Sequence, residues 1–172
     1  GEDGSWERIL PWMGVYSSRQ VRQKIYREDT GLACASRASL WRQGRRIGDK
    51  VHLITNDLFE TCIDIGAGVA PYEGLITEAF AVSQYVAMDF VPSDRISVAG
   101  DSTRLPLCSE IADLVVSFEV IQHVTSPTMM LQEIRRVLNP GGSLILTFPF
   151  LYPECDVMDF RRWTLDGMCE IL

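Results

Sequence analysis

The chain has few of the residues that most often announce chemistry. Its 172 residues include only two histidines, His52 and His123. The five cysteines (Cys34, Cys62, Cys108, Cys155 and Cys169) are odd in number, widely spaced and never arranged as C-x-x-C. That set lacks the ligand spacing of a zinc site, so no metal is expected, and it suits a reducing, cytoplasmic setting better than a disulfide framework. No apolar run approaches the roughly 20 residues that span a bilayer, and no signal-peptide pattern opens the sequence, so no membrane partner is expected. Internal repeats and low-complexity tracts are absent as well.

Cations are also short overall. Sixteen Lys and Arg against 23 Asp and Glu leave a net charge of −7. This speaks against a whole-surface nucleic-acid binder, because neutralising phosphates needs an excess of positive charge, and no nucleic-acid partner is expected. With 47% hydrophobic and 23% charged residues the chain is long and apolar enough for one sizeable core. The charge is uneven. Residues 1–50 hold ten basic and six acidic side chains, and the remainder carries a net −11. The expected organisation is a basic N-terminal helical cap over residues 1–50 and an α/β body over 51–172. Arg19, Arg22, Arg27, Arg42, Arg45 and Arg46 form either a solvated face or a lid over an anionic acceptor.

Within the cap, Ser17–Asp29 reads as a helix with Val21 and Ile25 on a narrow apolar stripe. A second helical pattern covers Asp49–Glu60. From Thr61 short apolar strands alternate with helices: TCIDIG, a helix over Tyr72–Phe80, QYVAMD, ISVAGD, ADLVVSF, a helix from Ser126-Pro127 to Leu138, then Asn139-Pro140-Gly141-Gly142 and SLILTFPF. Continuous apolar strands alternating with helices indicate a mostly parallel sheet covered on both faces, a Rossmann-like three-layer sandwich. Ligands of such sheets sit at the carboxyl ends of the strands.

The residues at those ends are Asp64-Ile65-Gly66-Ala67-Gly68, then Asp89-Phe90, then Gly100-Asp101-Ser102, then Phe118-Glu119. Two glycines spaced by one allow a sharp turn and close approach of a ligand. A dinucleotide fingerprint requires a third glycine, where this chain has Pro71, which removes an N–H from the helix start and with it a phosphate donor. Asp64 adds negative charge where a phosphate would be repelled. Asp89, 21 residues beyond Gly68, is placed to accept both hydroxyls of a ribose. A cationic, phosphate-free nucleoside fits this set better than a dinucleotide.

In order and spacing, CIDIGAG, YVAMDF, AGDSTRLPLCSEIADLVVSFEVIQHV and LQEIRRVLNPGGSLILTFPF resemble the class I S-adenosylmethionine-dependent methyltransferases of the methyltransferase type 11 group. The resemblance implies that S-adenosyl-L-methionine is the cofactor. It implies Asp64, Gly66, Ala67 and Gly68 at its methionine end, Asp89 and Phe90 at the ribose, Asp101 and Ser102 at the adenine, and Phe118 and Glu119 along the methionine moiety and substrate mouth. The third small residue of the family's loop is Ala70 here. FLYPECDVMDFRRWTLDGM is similar to a family stretch found in enzymes of sugar and polysaccharide modification, with counterparts at Pro149, Tyr152, Pro153, Asp159, Phe160, Arg161 or Arg162, and Thr164. The family's histidine is absent, and Glu154-Cys155 stands in its neighbourhood. The implied function is methyl transfer to a small-molecule or saccharide acceptor, at a hydroxyl. The alternatives are a non-catalytic nucleoside-binding or scaffolding module and, more weakly, a nicotinamide dehydrogenase.

A hydroxyl acceptor profits from a base of near-neutral pKa. His123, one helical turn past Glu119, is the candidate, and packing is its competing role; His52, before the first strand, packs. Folds of this family carry two further strands after the fifth, and their absence here leaves a sheet edge open. A longer parent protein, a partner chain or second copy, or the N-terminal segment are the three ways to cover it, the first being favoured.

Overall fold

The computed structural model describes the backbone of residues 13–17 and 24–26 and the chain over residues 58–150 and 157–172. Its strands are β1 (Met13–Ser17), β2 (Lys24–Tyr26), β3 (Thr61–Ile65), β4 (Gln84–Asp89), β5 (Val98–Ala99), β6 (Ala112–Phe118) and β7 (Leu138–Thr147). The helices are α1 (Glu73–Phe80), α2 (Pro127–Val137) and α3 (Leu165–Cys169), with a single 3-10 turn at Ile121–His123. They form one sheet in the order β2-β1-β7-β6-β3-β4-β5. The five strands from β3 to β7 run parallel, and β1 is antiparallel to both β7 and β2.

Strand alternation divides the core. Ile63, Ile65, Val115, Leu144 and Leu146 point to the face that α2 covers with Met130, Leu131, Ile134 and Val137. Cys62, Leu114, Val116, Phe118 and Ile145 point to the face that α1 covers with Ile76 and Phe80. All of these are buried, and each large side chain removed from water contributes roughly 1.5–3 kcal/mol. Pro127 stands at the first position of α2, and the Ser126 carbonyl, rather than its hydroxyl, receives the Met129 and Met130 amides.

Two acidic side chains fasten the ends of the layers. Asp113 accepts from the Glu60 and Thr61 amides and from Asn139, tying the amino ends of β3, β6 and β7 together. Burial alone would raise its carboxyl, but these bonds win and hold it below the usual range. On α2, Glu133 accepts from the Leu105 amide at 2.8 Å and pairs with Arg136, which donates to the Leu105 and Leu107 carbonyls. This ties the loop after β5 to the helix.

Three expectations need correcting. The helix expected over Ser17–Asp29 is not formed at its described positions: Lys24–Tyr26 is extended and pairs with β1. Ile and Tyr are residue types that favour strands, and a two-residue apolar stripe gives a helix little to bury. β7 starts at Leu138, before Ser143, because Leu138 pairs with Ala112 ahead of a register shift that accommodates Asn139–Gly142. The edge of β7, for which a partner chain or second copy was one expectation, is occupied by β1, from Met13 opposite Thr147 to Ser17 opposite Ser143. The rest of residues 1–57, including the boundary at Lys50, the listed N-terminal arginines, His52 and the Asp49–Glu60 pattern, lies outside the described residues. No helix among the described residues is long and apolar enough to cross a membrane.

A candidate nucleoside site at the carboxyl ends of the strands

The chain leaves β3 through Gly66-Ala67-Gly68-Val69-Ala70-Pro71 and enters α1 at Glu73. Gly66 and Gly68 take left-handed backbone conformations, with φ of +78° and +59°. They serve different purposes. A Cβ on Gly66 would lie 2.3 Å from Cγ2 of Val120, so this glycine admits the loop after β6. A Cβ on Gly68 would meet nothing within 4 Å, so this side of the turn is open. Ala70, at φ +51°, adopts the left-handed region without a glycine's freedom.

Four of the loop amides are spent internally. Gly66 and Ala67 donate to the Met88 carbonyl at 2.8 and 3.0 Å, Gly68 donates to Asp89 Oδ2 at 2.9 Å, and Ala70 donates to the Ala67 carbonyl. Pro71 has no amide to give. A pyrophosphate is held by such groups, so this turn is poorly suited to one.

Asp64, Asp89 and Asp101 stand at the ends of three adjacent parallel strands, β3, β4 and β5, but their surroundings differ. Asp89 accepts from the amides of Gly68 and Val91, one on each oxygen, and each oxygen keeps a lone pair for a further donor. Asp101 follows Gly100, whose amide donates to the Asp89 carbonyl. Its Oδ1 accepts from the amide and hydroxyl of Thr103, both at 2.8 Å, and Ser102 sits in the same turn. Asp64 is 1% exposed and accepts from the Tyr85 hydroxyl on β4. Burial pushes its carboxyl up to about 7, Tyr85 opposes that, and the Asp89 charge adds to it. Tyr85 was not singled out in the sequence. Its parity with Asp89 along β4 was the available signal. In the loops that follow β3 and β4, Val69, Phe90 and Val91 are 74%, 75% and 65% exposed.

The end of β6 closes the other side. Phe118 stacks at a tilt on Tyr72, with ring centroids 4.8 Å apart. Burial, followed by the charges of Glu119 and Asp64, raises the Tyr72 hydroxyl to about 12. Glu119 takes φ +57°, and its amide donates to Thr147 Oγ1. Burial lifts its carboxyl to about 7; Thr147, Arg162 and Gln122 pull it down, and Asp159 pushes it up. Gln122 Nε2 lies 2.9 Å from the Glu119 carbonyl, 3.4 Å from its Oε2 and 3.3 Å from His123 Nε2. His123 Nδ1 lies 3.2 Å from the Met158 carbonyl. A carbonyl only accepts, so Nδ1 carries the hydrogen and Nε2 receives from Gln122. Neither arginine of the facing segment is idle: Arg162 pairs with Asp159, and Arg161 donates to the carbonyls of Val124 and Thr125. Gln122, Thr147 and Tyr72 escaped sequence reading, because nothing in their spacing separates them from core residues. Tyr152, Pro153, Glu154 and Cys155 lie outside the described residues.

A family model described as a methyltransferase domain matches residues 63–146. Residues 63–146 are a class I methyltransferase domain. Among curated proteins, a malonyl-[acyl-carrier protein] O-methyltransferase of Methylococcus capsulatus is 34% identical over 124 residues, covering 63% of this chain and 44% of that protein. A tRNA U34 carboxymethyltransferase of Hydrogenovibrio crunogenus is 26% identical over 144 residues, covering 84% of this chain and 36% of that protein. The chain thus spans less than half the length of these two relatives. Among solved structures, phosphoethanolamine N-methyltransferase 2 of Haemonchus contortus aligns with a TM-score of 0.60 at 18% identity, over 76% of this chain and 35% of that one. The [4+2]-cyclase SpnF aligns with a TM-score of 0.61 at 19% identity, over 83% and 59%. These structures share the methyltransferase domain's fold.

The methyl donor of this class is S-adenosylmethionine, and the residues present suit it. Its nucleoside carries no phosphate, matching a turn most of whose amides are already bonded, and its two cationic centres suit carboxylates at the ends of three adjacent strands.

Proposed function

We propose that this chain is the cofactor-binding and catalytic part of an enzyme that methylates a hydroxyl of a small-molecule or saccharide acceptor, using S-adenosylmethionine. The observation that carries the reading is the pairing of an amide-poor glycine turn with carboxylates at three successive strand ends. Asp89 holds the ribose hydroxyls with its remaining lone pairs. Phe90 offers its exposed ring to the purine face, while Asp101 and Ser102 take the purine edge. Gly66, Ala67 and Gly68 give backbone close approach to the methionine end. Asp64, buried beneath them, acts through its field on the cationic amine, and Phe118 and Glu119 border the methionine moiety.

S-adenosylmethionine supplies a methyl group on a positively charged sulfur, primed for displacement. The protein's task is to align an acceptor with it and to exclude water. His123 serves as a positioning residue in this reading, since its Nε2 lone pair is used by Gln122. The curated relatives act on a malonylated carrier protein and on a tRNA, so the shared domain leaves the acceptor unspecified. The test is release of S-adenosylhomocysteine from S-adenosylmethionine across four acceptor sets: sugars and small alcohols, malonyl thioesters, free carboxylates and tRNA. Turnover confined to the hydroxyl set supports the reading. Turnover confined to another set overturns its acceptor, and cofactor binding without turnover on any set favours a non-catalytic module.

A further inference from the structure

Most buried polar groups in the described residues have an evident partner, and the exceptions are instructive. Gln122 is 2% exposed, and its Oε1 is buried with no hydrogen-bond partner. Its amide orientation is fixed from the other end, since Nε2 must be the atom that faces the Glu119 carbonyl at 2.9 Å. An acceptor left unpaired in this way costs roughly 1–3 kcal/mol, so it marks a place where a donor is missing. The neighbour of this orphan is Glu119, a second acceptor, held in a left-handed conformation that alanine-like residues avoid. Val120, the next residue, packs over Gly66, which brings Glu119 beside the turn that receives the methionine end.

The groups facing Glu119 come from every surrounding element. Thr147 on β7 bonds it, Gln122 follows it, Tyr72 approaches from the start of α1, and Asp159 and Arg162 approach from the segment after β7. The sole cation in this set, Arg162, is paired with Asp159. One unsatisfied acceptor, Gln122 Oε1, beside a carboxylate whose neighbouring cation is already paired, favours a proton donor over an anion.

We propose that Glu119, oriented by Gln122 and His123, takes the proton from the acceptor, which is therefore a proton-bearing hydroxyl rather than a carboxylate. This rests on the methyl-transfer reading above. The acceptor O–H bond breaks as its oxygen forms a bond to the methyl carbon; the proton passes to the Glu119 carboxylate, and the electron pair of the broken carbon–sulfur bond stays on sulfur. Gln122 Oε1 is satisfied by a second hydroxyl of the same molecule, as a saccharide or polyol offers.

The test uses the whole chain with Glu119→Gln, which preserves shape and removes the base. In ligand-free protein labelled with carboxyl-13C glutamate, one resonance titrates near neutrality, and it disappears in the variant. With both proteins at saturating S-adenosylmethionine, kcat for hydroxyl acceptors falls about 10²-fold and loses its acid limb in the variant. Unchanged kcat in Glu119→Gln, the absence of a near-neutral glutamate titration, or faster methylation of carboxylates than of hydroxyls by the wild type each overturns the inference. The first two results leave the parent reading intact, and the third overturns its hydroxyl acceptor as well. Failure of the wild type to bind S-adenosylhomocysteine overturns the parent reading and this one with it.

Discussion

At the scale of single residues, the site is organised by how each carboxylate is solvated. Asp89 is bonded by two amides and keeps lone pairs to spare, while Asp64 sits under the turn with a tyrosine for company. The raised carboxyl of Asp64 has a consequence for stability. Its folded value of about 7 exceeds the unfolded value of about 3.9, so folding favours the protonated form. The stability this group contributes is intact below about pH 4 and is lost as pH rises toward 7. Asp64→Asn, which keeps an acceptor for Tyr85, is expected to match the wild type near pH 4 and to exceed it by roughly 2–4 kcal/mol at pH 8 in urea unfolding. Equal pH slopes in the two proteins contradict this. Gly66→Ala acts through a different cause: it adds a Cβ 2.3 Å from Val120 and places it at φ +78°. A loss of about 2–4 kcal/mol is expected, with Gly68→Ala costing less because its Cβ enters open space.

At the scale of elements, the body was legible. The apolar runs QYVAMD and ADLVVSF coincide with β4 and β6, and the helix begun by Ser126-Pro127 ends at Val137. These segments bury one or both faces, so their hydrophobic pattern and their structure have the same cause. The N-terminal segment was misread because Lys24–Tyr26 pairs with β1, which in turn draws its partner from β7, more than a hundred residues away, and a local pattern carries no trace of that pairing. The Glu133–Arg136 motif reads from sequence only as paired charge, whereas its work is to hold the loop after β5. Glu133→Ala is expected to speed amide exchange at Leu105 and to lower stability by about 1–2 kcal/mol, with little effect on exchange in β3. Uniform acceleration across the sheet contradicts a local role.

At the scale of the whole molecule, five parallel strands bring to one end residues that are far apart in sequence, from Asp64 to Glu119. The acids and glycines of that end were readable because they follow directly after apolar strands. The polar network around Glu119 was not, since Gln122, Thr147 and Asp159 become neighbours only once β6, β7 and the segment after them are assembled. The malonyl-carrier-protein and tRNA enzymes to which this chain is similar are named for different acceptors, so the likeness in sequence does not by itself name one. The central claim is that the strand ends hold a cationic nucleoside without phosphate. It is tested most directly by calorimetric titration with S-adenosylhomocysteine and, in parallel, NAD, using the wild type and Asp89→Ala. The account predicts saturable binding of S-adenosylhomocysteine, at least tenfold weaker in Asp89→Ala, and no heat with NAD; binding of NAD, or S-adenosylhomocysteine affinity indifferent to Asp89, contradicts it.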